Sequence, residues 1–593
     1  MRKLMTGNEA IARGAYEAGV IFASAYPGTP STEILENMVQ YRDSLYCEWA
    51  PNEKVALEAA IGASIAGTRA MAAMKHVGVN VAADPLFTFA YTGVTGGLVL
   101  VSADDPGMHS SQNEQDNRNY AEAARVLMLN PSDSQEAKDF TKLGFELSEK
   151  FDTPVLLHIT TRICHSQGLV DQGERIDVPP VPYKKNIAKY VATPGNAKVM
   201  RAKLEDRLTA MEEYANKTEI NKAEYKGSEI GVITSGVSYQ YARDAFGDDT
   251  SILKLGMSYP FPRTLACEFA SKVRKIYVVE EMDPYIERNL ERLGISCIGK
   301  EVIPKFGELD TDIVRRSVFG EENEHITVDE VAVPRPPVLC AGCPHRGFFY
   351  ALSKKKDLVI TGDIGCYTLG SAPPLSAMDT CLCMGGSISS GHGAAVALKF
   401  TGAKEKVVSI IGDSTFFHTG INSIMDAVYN KGSNVSIILD NRITGMTGHQ
   451  ENPGSGFTLM GEPVAEVDIP ALCVAIGMKE ENIYKVNPLI IDEVSKALDE
   501  AMSKDEPSVI IARWPCILKK FSEQDKEEFD LFGKKCEIDQ EKCKKCKACV
   551  MTGCPAIRSG EIIEINGDSC TGCAVCLQVC PFDAIKEVRT DDK

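Results

Sequence analysis

Apolar residues in this chain gather in short continuous runs, each closed by a turn-forming or acidic residue. VIFASAYPGTP (20–30), GLVLVSADDPG (97–107), TPVLLHITTR (153–162) and KIYVVEEMDPY (275–285) read as buried strands ending in turns. VVSIIGD (407–413), VSIILDN (435–441) and SVIIARWP (508–515) have the same form. Strands without polar alternation are covered on both faces. Between them, the Ala-rich KVALEAAIGASIAGTRAMAAM (54–74) reads as one helix and the N-terminal MRKLMTGNEAIARGAYEAGV as another. Strands alternating with helices imply parallel sheets. The charged stretch 180–226, containing VMRAKLEDRLTAMEEYANKT, predicts a surface helix or helical pair, and VAVPRPPVLC (331–340) marks a break.

Length and charge then narrow the class. At 593 residues the chain is too long for one core, and about 150 residues per domain gives three to five domains. Hydrophobic content of 44% and charged content of 25% are ordinary for a globular protein. A formal charge of −18 argues against nucleic acid and anionic membranes, whose phosphates would be repelled, and leaves room for a small basic protein. No apolar run approaches the ~20 residues of a membrane span, and no signal peptide is expected. The expected location is therefore cytoplasmic. Twenty cysteines in a large cytoplasmic chain point to metal rather than disulfides.

The tail concentrates those cysteines in two similar halves, CKKCKACVMTGCPAI and CTGCAVCLQVCPFDAI. The first spaces Cys543, Cys546, Cys549 and Cys554 as C-x2-C-x2-C-x4-C-P; the second spaces Cys570, Cys573, Cys576 and Cys580 as C-x2-C-x2-C-x3-C-P. In two-cluster ferredoxins the fourth cysteine of such a run ligates the other cluster. The pattern predicts one [4Fe-4S] cluster on Cys543, Cys546, Cys549 and Cys580, and another on Cys570, Cys573, Cys576 and Cys554. Four-cysteine zinc sites share the C-x2-C spacing but not the third cysteine and proline. Cys536 lies outside the pattern and is expected to be a bystander.

Before the tail, Gly412 and Asp413 fall at the carboxyl end of one expected strand, and Asp440 and Asn441 end the next. Ligands of doubly wound sheets bind at that edge. Asp413, Asn441 and a nearby backbone carbonyl give three oxygens; two diphosphate oxygens and a water would complete an octahedron for Mg²⁺. Alone, the G-D-S triplet reads equally well as a helix N-cap followed by a turn. A second Asx 28 residues later makes the pair look like the thiamine diphosphate signature.

AYPGTPSTEI, DDPGMHSSQNEQDNR, CAGCPHRG, GDIGCYTLG, MDTCLCMGG, GDSTFFHTGI and LDNRITGMTG, together with the tail, give the chain a resemblance to the 2-oxoacid:ferredoxin oxidoreductases. Within that family it is most similar to the large subunits acting on indolepyruvate. The resemblance implies an α/β multidomain fold of doubly wound, thiamine-diphosphate-binding sheets plus a C-terminal two-cluster ferredoxin-like α+β domain. It divides the chain into a pyrimidine-binding domain (1–175), a helical linker (176–226), a transketolase C-terminal-like α/β domain (227–330), a diphosphate- and Mg-binding domain (331–520) and a ferredoxin-type domain (521–593). The first and fourth would meet across the cofactor.

Residue by residue, the resemblance makes Glu53 the cofactor activator, a carboxylate that would otherwise read as a helix-dipole partner. Thr29 would face the substrate carboxylate, and Arg118 would be its positive partner, with Arg162 as the rival. His109 and His418 are candidate proton donors or ordinary loop histidines. Gly385, Gly386, Gly412, Asp413, Ser414, Asn441, Ile443, Gly445 and Met446 would line the cofactor, with Asp413, Asn441 and Ile443 on Mg²⁺. Cys340, Cys343, Cys366 and Cys516 match the ligands of a third [4Fe-4S] cluster beside the cofactor. Paired structural thiols are the plainer reading. A thioredoxin-like pair fits poorly with Pro334, Pro336 and Pro337 in front. Cys381 and Cys383 would lie against the cofactor.

The implied reaction is oxidative decarboxylation of indolepyruvate and similar arylpyruvates to aryl-acetyl-CoA, with coenzyme A as co-substrate and ferredoxin as electron acceptor. A small β subunit, in a heterotetramer, is the implied partner. Competing readings are the same chemistry on pyruvate or branched-chain oxoacids, a non-oxidative thiamine lyase with structural clusters, and an electron-transfer scaffold without cofactor. Glu53, Asp413 and Asn441 speak against the last.

Overall fold

The computed structural model describes residues 1–322, 336–530 and 534–589, so part of the expected proline-rich break lies outside the described residues. The chain forms two compact units, Met1–Asp329 and Glu330–Lys593. Both are α/β, with mainly parallel sheets. Among the described residues no helix is long and apolar enough to cross a membrane.

The first unit holds a seven-stranded sheet in the order Met257–Tyr259, Leu127–Leu129, Val155–Thr160, Leu98–Asp104, Ala70–Lys75, Phe22–Ala25, Tyr46–Trp49. Only the Met257–Tyr259 edge strand runs antiparallel to its neighbour. A four-stranded sheet follows, with Lys275–Val279, Ile230–Ser235 and Ser251–Leu255 parallel and Asn221–Glu224 antiparallel. The edge strand Met257–Tyr259 thus comes from the second α/β segment and completes the sheet of the first. One apolar core runs through both, from Leu57 and Leu100 to Ile233, Leu253 and Phe269.

Two sequence expectations give way here. The stretch 54–74 is a helix only over Glu53–Ile65; Gly67 turns the chain at φ +96° and Ala70–Lys75 is a strand. Alanine and methionine favour helix intrinsically, but this strand is central and its first five side chains are wholly buried, so burial on both faces overrides propensity. At the N-terminus, Arg2–Thr6 is a strand paired antiparallel with Gln167–Asp171. The helix starts only at Gly7, behind a capping box formed by Thr6 and Glu9.

Arg118 locks the two sheets of this unit together. It is 3% exposed. Its guanidinium donates to both carboxylate oxygens of Asp116 (2.6–3.1 Å), to Glu280 Oε2 (2.7 Å) and to the carbonyls of Glu281 (2.9 Å) and Asp283 (3.0 Å). These bonds commit its donors, so Arg118 is a structural clamp and not the open cation expected for an oxoacid carboxylate.

The second unit is built on a six-stranded parallel sheet, ordered Thr380–Cys381, Leu358–Gly362, Lys406–Gly412, Val435–Asp440, Ser508–Arg513, Ile483–Val486. Separate apolar cores cover its two faces, one including Phe348, Phe349 and Leu498, the other Ile388, Phe416 and Ile424. The tail adds two small antiparallel ribbons, Lys534–Ile538 with Ile585–Arg589 and Ile557–Ser559 with Ile563–Ile565. They frame a small core made largely of cysteines and isoleucines.

Burial pushes the Glu281 carboxyl up to about 7 from an ordinary value of 4.5, partly offset by the N–H it accepts from Leu309. An acid with a raised folded pKa holds its proton longer in the native state, so stability falls as pH rises from about 4.5 to about 7. Glu281→Gln keeps the acceptor and removes the charge. Between pH 5 and pH 8 the parent should lose roughly 3 kcal/mol relative to the variant, measured by urea denaturation at each pH.

Candidate active site

In a parallel sheet all strands end on the same side, and here that edge collects the residues of interest. Asp363 and Cys366 follow strand Leu358–Gly362, Asp413 follows Lys406–Gly412, Asn441 follows Val435–Asp440, and Cys516 follows Ser508–Arg513. The backbone N–H of Cys516 donates to the Asn441 carbonyl (3.0 Å), tying two of these loops.

Asp413 is 3% exposed. Its carboxylate accepts from a neutral group, the Asn452 amide, at 3.1 Å. Burial, reinforced by the charge of Asp440, pushes its pKa up, whereas Asp440 is paired with Arg513 at 3.2 Å. A buried carboxylate beside a second carboxylate and the side chain of Asn441 fits a divalent cation, the group the sequence expects there. Asn441 Oδ1 accepts from the Ile443 N–H (3.3 Å), and Thr444 Oγ1 donates to Ser414 Oγ (2.9 Å). A Cβ on Gly412 would meet the Tyr367 ring at 2.7 Å, so the chain can approach this edge only as glycine.

On the neighbouring loop, Gly385 has φ +80° and lies where a Cβ would strike Thr419 Oγ1. The carboxylate of Asp363 holds this loop by accepting from Gly385 N–H (2.7 Å) and Ser387 N–H (2.9 Å). Gly386 packs close to Cys383, and Cys381 Sγ donates to the Asp363 carbonyl (3.4 Å). Met446 is exposed, and His418 is buried with Nδ1 3.3 Å from Thr419 Oγ1.

Cys340, Cys343, Cys366 and Cys516, far apart in sequence, lie close enough to act on one another electrostatically. Burial raises Cys343 to about 12 and Cys366 to about 11, and the charges of Cys516 and Cys340 add to both shifts. Burial raises Cys516 as well, with Cys340 contributing. Buried thiolates at Cys343, Cys366 and Cys516 need a strong positive charge beside them, and with the exposed Cys340 they make a four-thiol set that fits an iron–sulfur cluster. A Cβ placed on Gly445 would lie 3.7 Å from Asn441 Nδ2 and 3.8 Å from Cys366 Sγ. The cysteine set and the Asp413–Asn441 set are therefore neighbours. The Cys340–Cys343 pair does open a helix, His345–Leu352, but residues 336–340 before it are not a strand.

The tail holds two cavities. One is lined by Cys543, Cys546, Cys549 and Cys580. The other is lined by Cys554, Cys570, Cys573 and Cys576, with Ala341, Gly342 and Arg346 on its wall. Backbone N–H groups of Ala584 and Cys536 point at Cys580 Sγ (3.4 Å) and Cys570 Sγ (3.3 Å), an arrangement that favours thiolates. Cys536, expected as a bystander, is buried in the wall of the second cavity.

In the first unit Glu53 begins helix Glu53–Ile65 behind the Asn52 cap, is 5% exposed, and packs on the bare backbone of Gly78, where a Cβ would meet its Oε1 at 2.8 Å. Thr29 is half-buried in the loop after Phe22–Ala25. Its carbonyl accepts from Ser110 Oγ (3.4 Å), and the stem of Lys75 packs against Gly28. Lys75 Nζ reaches the Ser110 carbonyl (3.0 Å); burial pulls its pKa down, opposed by Asp105 and Glu53. Arg162 and His109 both face Glu308, at 2.8 and 3.4 Å.

Sequence reading overlooked Lys75, Asp363, Asn452 and Arg346. Asp363 had a signal: TGDIG repeats the glycine–aspartate strand end of IGDST. The others carry no local pattern. Arg346, 1% exposed, donates to the carbonyls of Leu339 (2.5 Å), Cys340 (2.8 Å) and Thr552 (2.9 Å), pinning the Cys340 loop to the tail. Arg346→Met would strip buried carbonyls of their donor at about 1–3 kcal/mol each. It should lower the thermal midpoint and expose the tail to limited proteolysis; an unchanged digestion pattern would show that Arg346 does not hold the tail.

Comparison with known proteins accords with this geometry. Residues 13–229 match the family described as "Pyruvate flavodoxin/ferredoxin oxidoreductase, thiamine diP-bdg", residues 363–512 the "Thiamine pyrophosphate enzyme, C-terminal TPP binding domain", and residues 563–586 the "4Fe-4S binding domain". The chain is 41% identical to "Indolepyruvate oxidoreductase subunit IorA" of Archaeoglobus fulgidus, over 99% of this chain and 98% of that protein. The Methanothermobacter thermautotrophicus protein of the same name is 41% identical, over 98% and 97%. That of Pyrococcus abyssi is 38% identical, over 99% and 97%. This chain belongs to the IorA family of indolepyruvate oxidoreductase subunits, 2-oxoacid:ferredoxin oxidoreductases that use thiamine diphosphate and [4Fe-4S] clusters.

Proposed function

We propose that this chain is the large subunit of a cytoplasmic enzyme that oxidatively decarboxylates arylpyruvates, indolepyruvate foremost, to aryl-acetyl-CoA and passes the electrons to ferredoxin. The observation that carries the reading is the shared sheet edge, where Asn441 Nδ2 and Cys366 Sγ both lie within 4 Å of one point on Gly445. A decarboxylase without redox function has no use for four gathered thiols at that spot. A small β subunit completes the assembly, which we take to be a heterotetramer.

Asp413, Asn441 and the Ile443 carbonyl would hold Mg²⁺ and, through it, the diphosphate; Gly385, Gly386, Gly412, Ser414, Gly445 and Met446 would form the surrounding wall. When bound, thiamine diphosphate supplies the electron sink that lets a 2-oxoacid lose carbon dioxide. Glu53, buried at a helix start, would hold or release a proton toward the aminopyrimidine ring when the cofactor is bound. In place of Arg118, Lys75, whose stem packs on Gly28 beside Thr29 and whose charge burial disfavours, would meet the oxoacid carboxylate. Cys340/Cys343/Cys366/Cys516, Cys554/Cys570/Cys573/Cys576 and Cys543/Cys546/Cys549/Cys580 would hold three clusters, which would supply one-electron acceptors.

With the β subunit present under anaerobic conditions, reduction of a viologen dye should require both indolepyruvate and coenzyme A, with higher kcat/KM for indolepyruvate than for pyruvate. Lys75→Gln should raise the oxoacid KM by about tenfold or more, the loss expected for one desolvated charge contact. Carbon dioxide release without dye reduction would instead identify a non-oxidative lyase.

A further inference from the structure

We propose that Lys542, Lys544, Lys545 and Lys547 form the docking face for an acidic one-electron carrier, and that electrons leave the chain through the cluster on Cys543, Cys546, Cys549 and Cys580. This inference rests on the redox function proposed above and adds where the carrier binds and what charge it bears.

The two tail cavities are not equivalent. The Cys554 cavity is walled on one side by Ala341, Gly342 and Arg346, residues flanking the Cys340 loop. The Cys543 cavity is lined only by tail residues, and Cys546 on its rim is exposed. The first therefore faces the interior cysteine set and the second faces solvent. Electron transfer to an external protein needs the exposed one.

Around that cavity the surface is basic. Lys542, Lys544, Lys545 and Lys547 are all exposed, and Lys544 and Lys547 line the opening itself. Lys545 Nζ bonds a backbone carbonyl, that of Glu561 at 2.7 Å, and among the described residues none of the four joins an ion pair. Asp539 and Glu541 lie close in sequence, and Asp583 follows Phe582 at the rim, yet the four lysines of 542–547 outnumber them. Phe582, 44% exposed, adds an apolar spot at the same rim. The chain as a whole is acidic, with a total charge of −18. A negatively charged carrier is repelled by that net charge and attracted to this basic opening, which both raises its capture rate and orients it on the cluster. Total charge alone would have suggested a basic partner; the local field reverses that choice.

Per turnover the oxoacid and coenzyme A give acyl-CoA, carbon dioxide and a proton, and two electrons reduce two carrier molecules in successive single-electron steps. Nothing is left over, so no further oxidant is needed.

The test uses the complete cluster-loaded complex, an acidic two-[4Fe-4S] ferredoxin as carrier and benzyl viologen as the small-molecule control. In the K542Q/K544Q/K545Q/K547Q variant the Kd for oxidised ferredoxin, by titration calorimetry at low ionic strength, should weaken by at least about tenfold. The parent's Kd should rise with salt while the variant's stays nearly flat. Ferredoxin kcat/KM should fall in parallel, with dye reduction and the cluster electron paramagnetic resonance (EPR) signals retained. If the quadruple variant loses a cluster, K542Q/K545Q, which spares the cavity lining, should still weaken binding about threefold. Unchanged ferredoxin affinity in both variants overturns the proposal, as does an equal loss in a K198Q/K203Q control on the exposed helix Pro194–Ala215. Absence of dye reduction in the parent would strike the redox reading instead, leaving the calorimetric result to judge the surface.

Discussion

The site of this protein depends on a property of parallel sheets: every strand delivers its carboxyl end to the same edge. Four loops leave the edge of the second unit's sheet, carrying Asp363 and Cys366, Asp413, Asn441, and Cys516. Residues from 363 to 516 are brought together by hydrogen-bonded strands rather than by flexible loops, so their spacing is set by the sheet. The cost is electrostatic. Asp413, Asp440 and the thiols of Cys343, Cys366 and Cys516 are crowded into low-dielectric surroundings where burial raises their pKa values. Arg513 balances Asp440, and a cation and an iron cluster are the natural counter-charges for the rest.

The fold was legible where burial and propensity agreed. Val435–Asp440 and Ser508–Arg513 are rich in branched apolar residues and read directly as strands. Ala70–Lys75 did not, because its alanines and methionines carry a helical preference that only a central, two-face-covered position overcomes. The short Thr380–Cys381 and Ile483–Val486 strands also escaped notice, since a few residues bear too little periodic signal. The division of the first unit was blurred for a different reason. Met257–Tyr259 crosses to the neighbouring sheet, a choice made by pairing with Leu127–Leu129 rather than by local sequence.

The same distinction separates site residues. Asp413 and Asn441 sit at strand ends that local sequence marks, and the tail cysteines have diagnostic spacing. Arg118 could not be judged from its neighbours, because Glu280, which helps to bury it, is 162 residues away. Lys75 follows directly on a stretch that reads as helix and carries no pattern of its own. The Cys340 set is scattered over most of a domain, and only family resemblance suggested that its members meet. Cys536 looked isolated in sequence and lines a cluster cavity because its strand, Lys534–Ile538, pairs with Ile585–Arg589.

The central claim is that a third cluster occupies the thiols beside Asp413 and Asn441, so that electrons leave the cofactor through the same sheet edge that binds it. Iron and acid-labile sulfide analysis of the anaerobically purified chain, set beside its Cys366→Ser variant, tests this most directly. About twelve irons per chain falling to about eight in the variant is the result this account requires, at four irons per cubane. About eight irons in both proteins would contradict it.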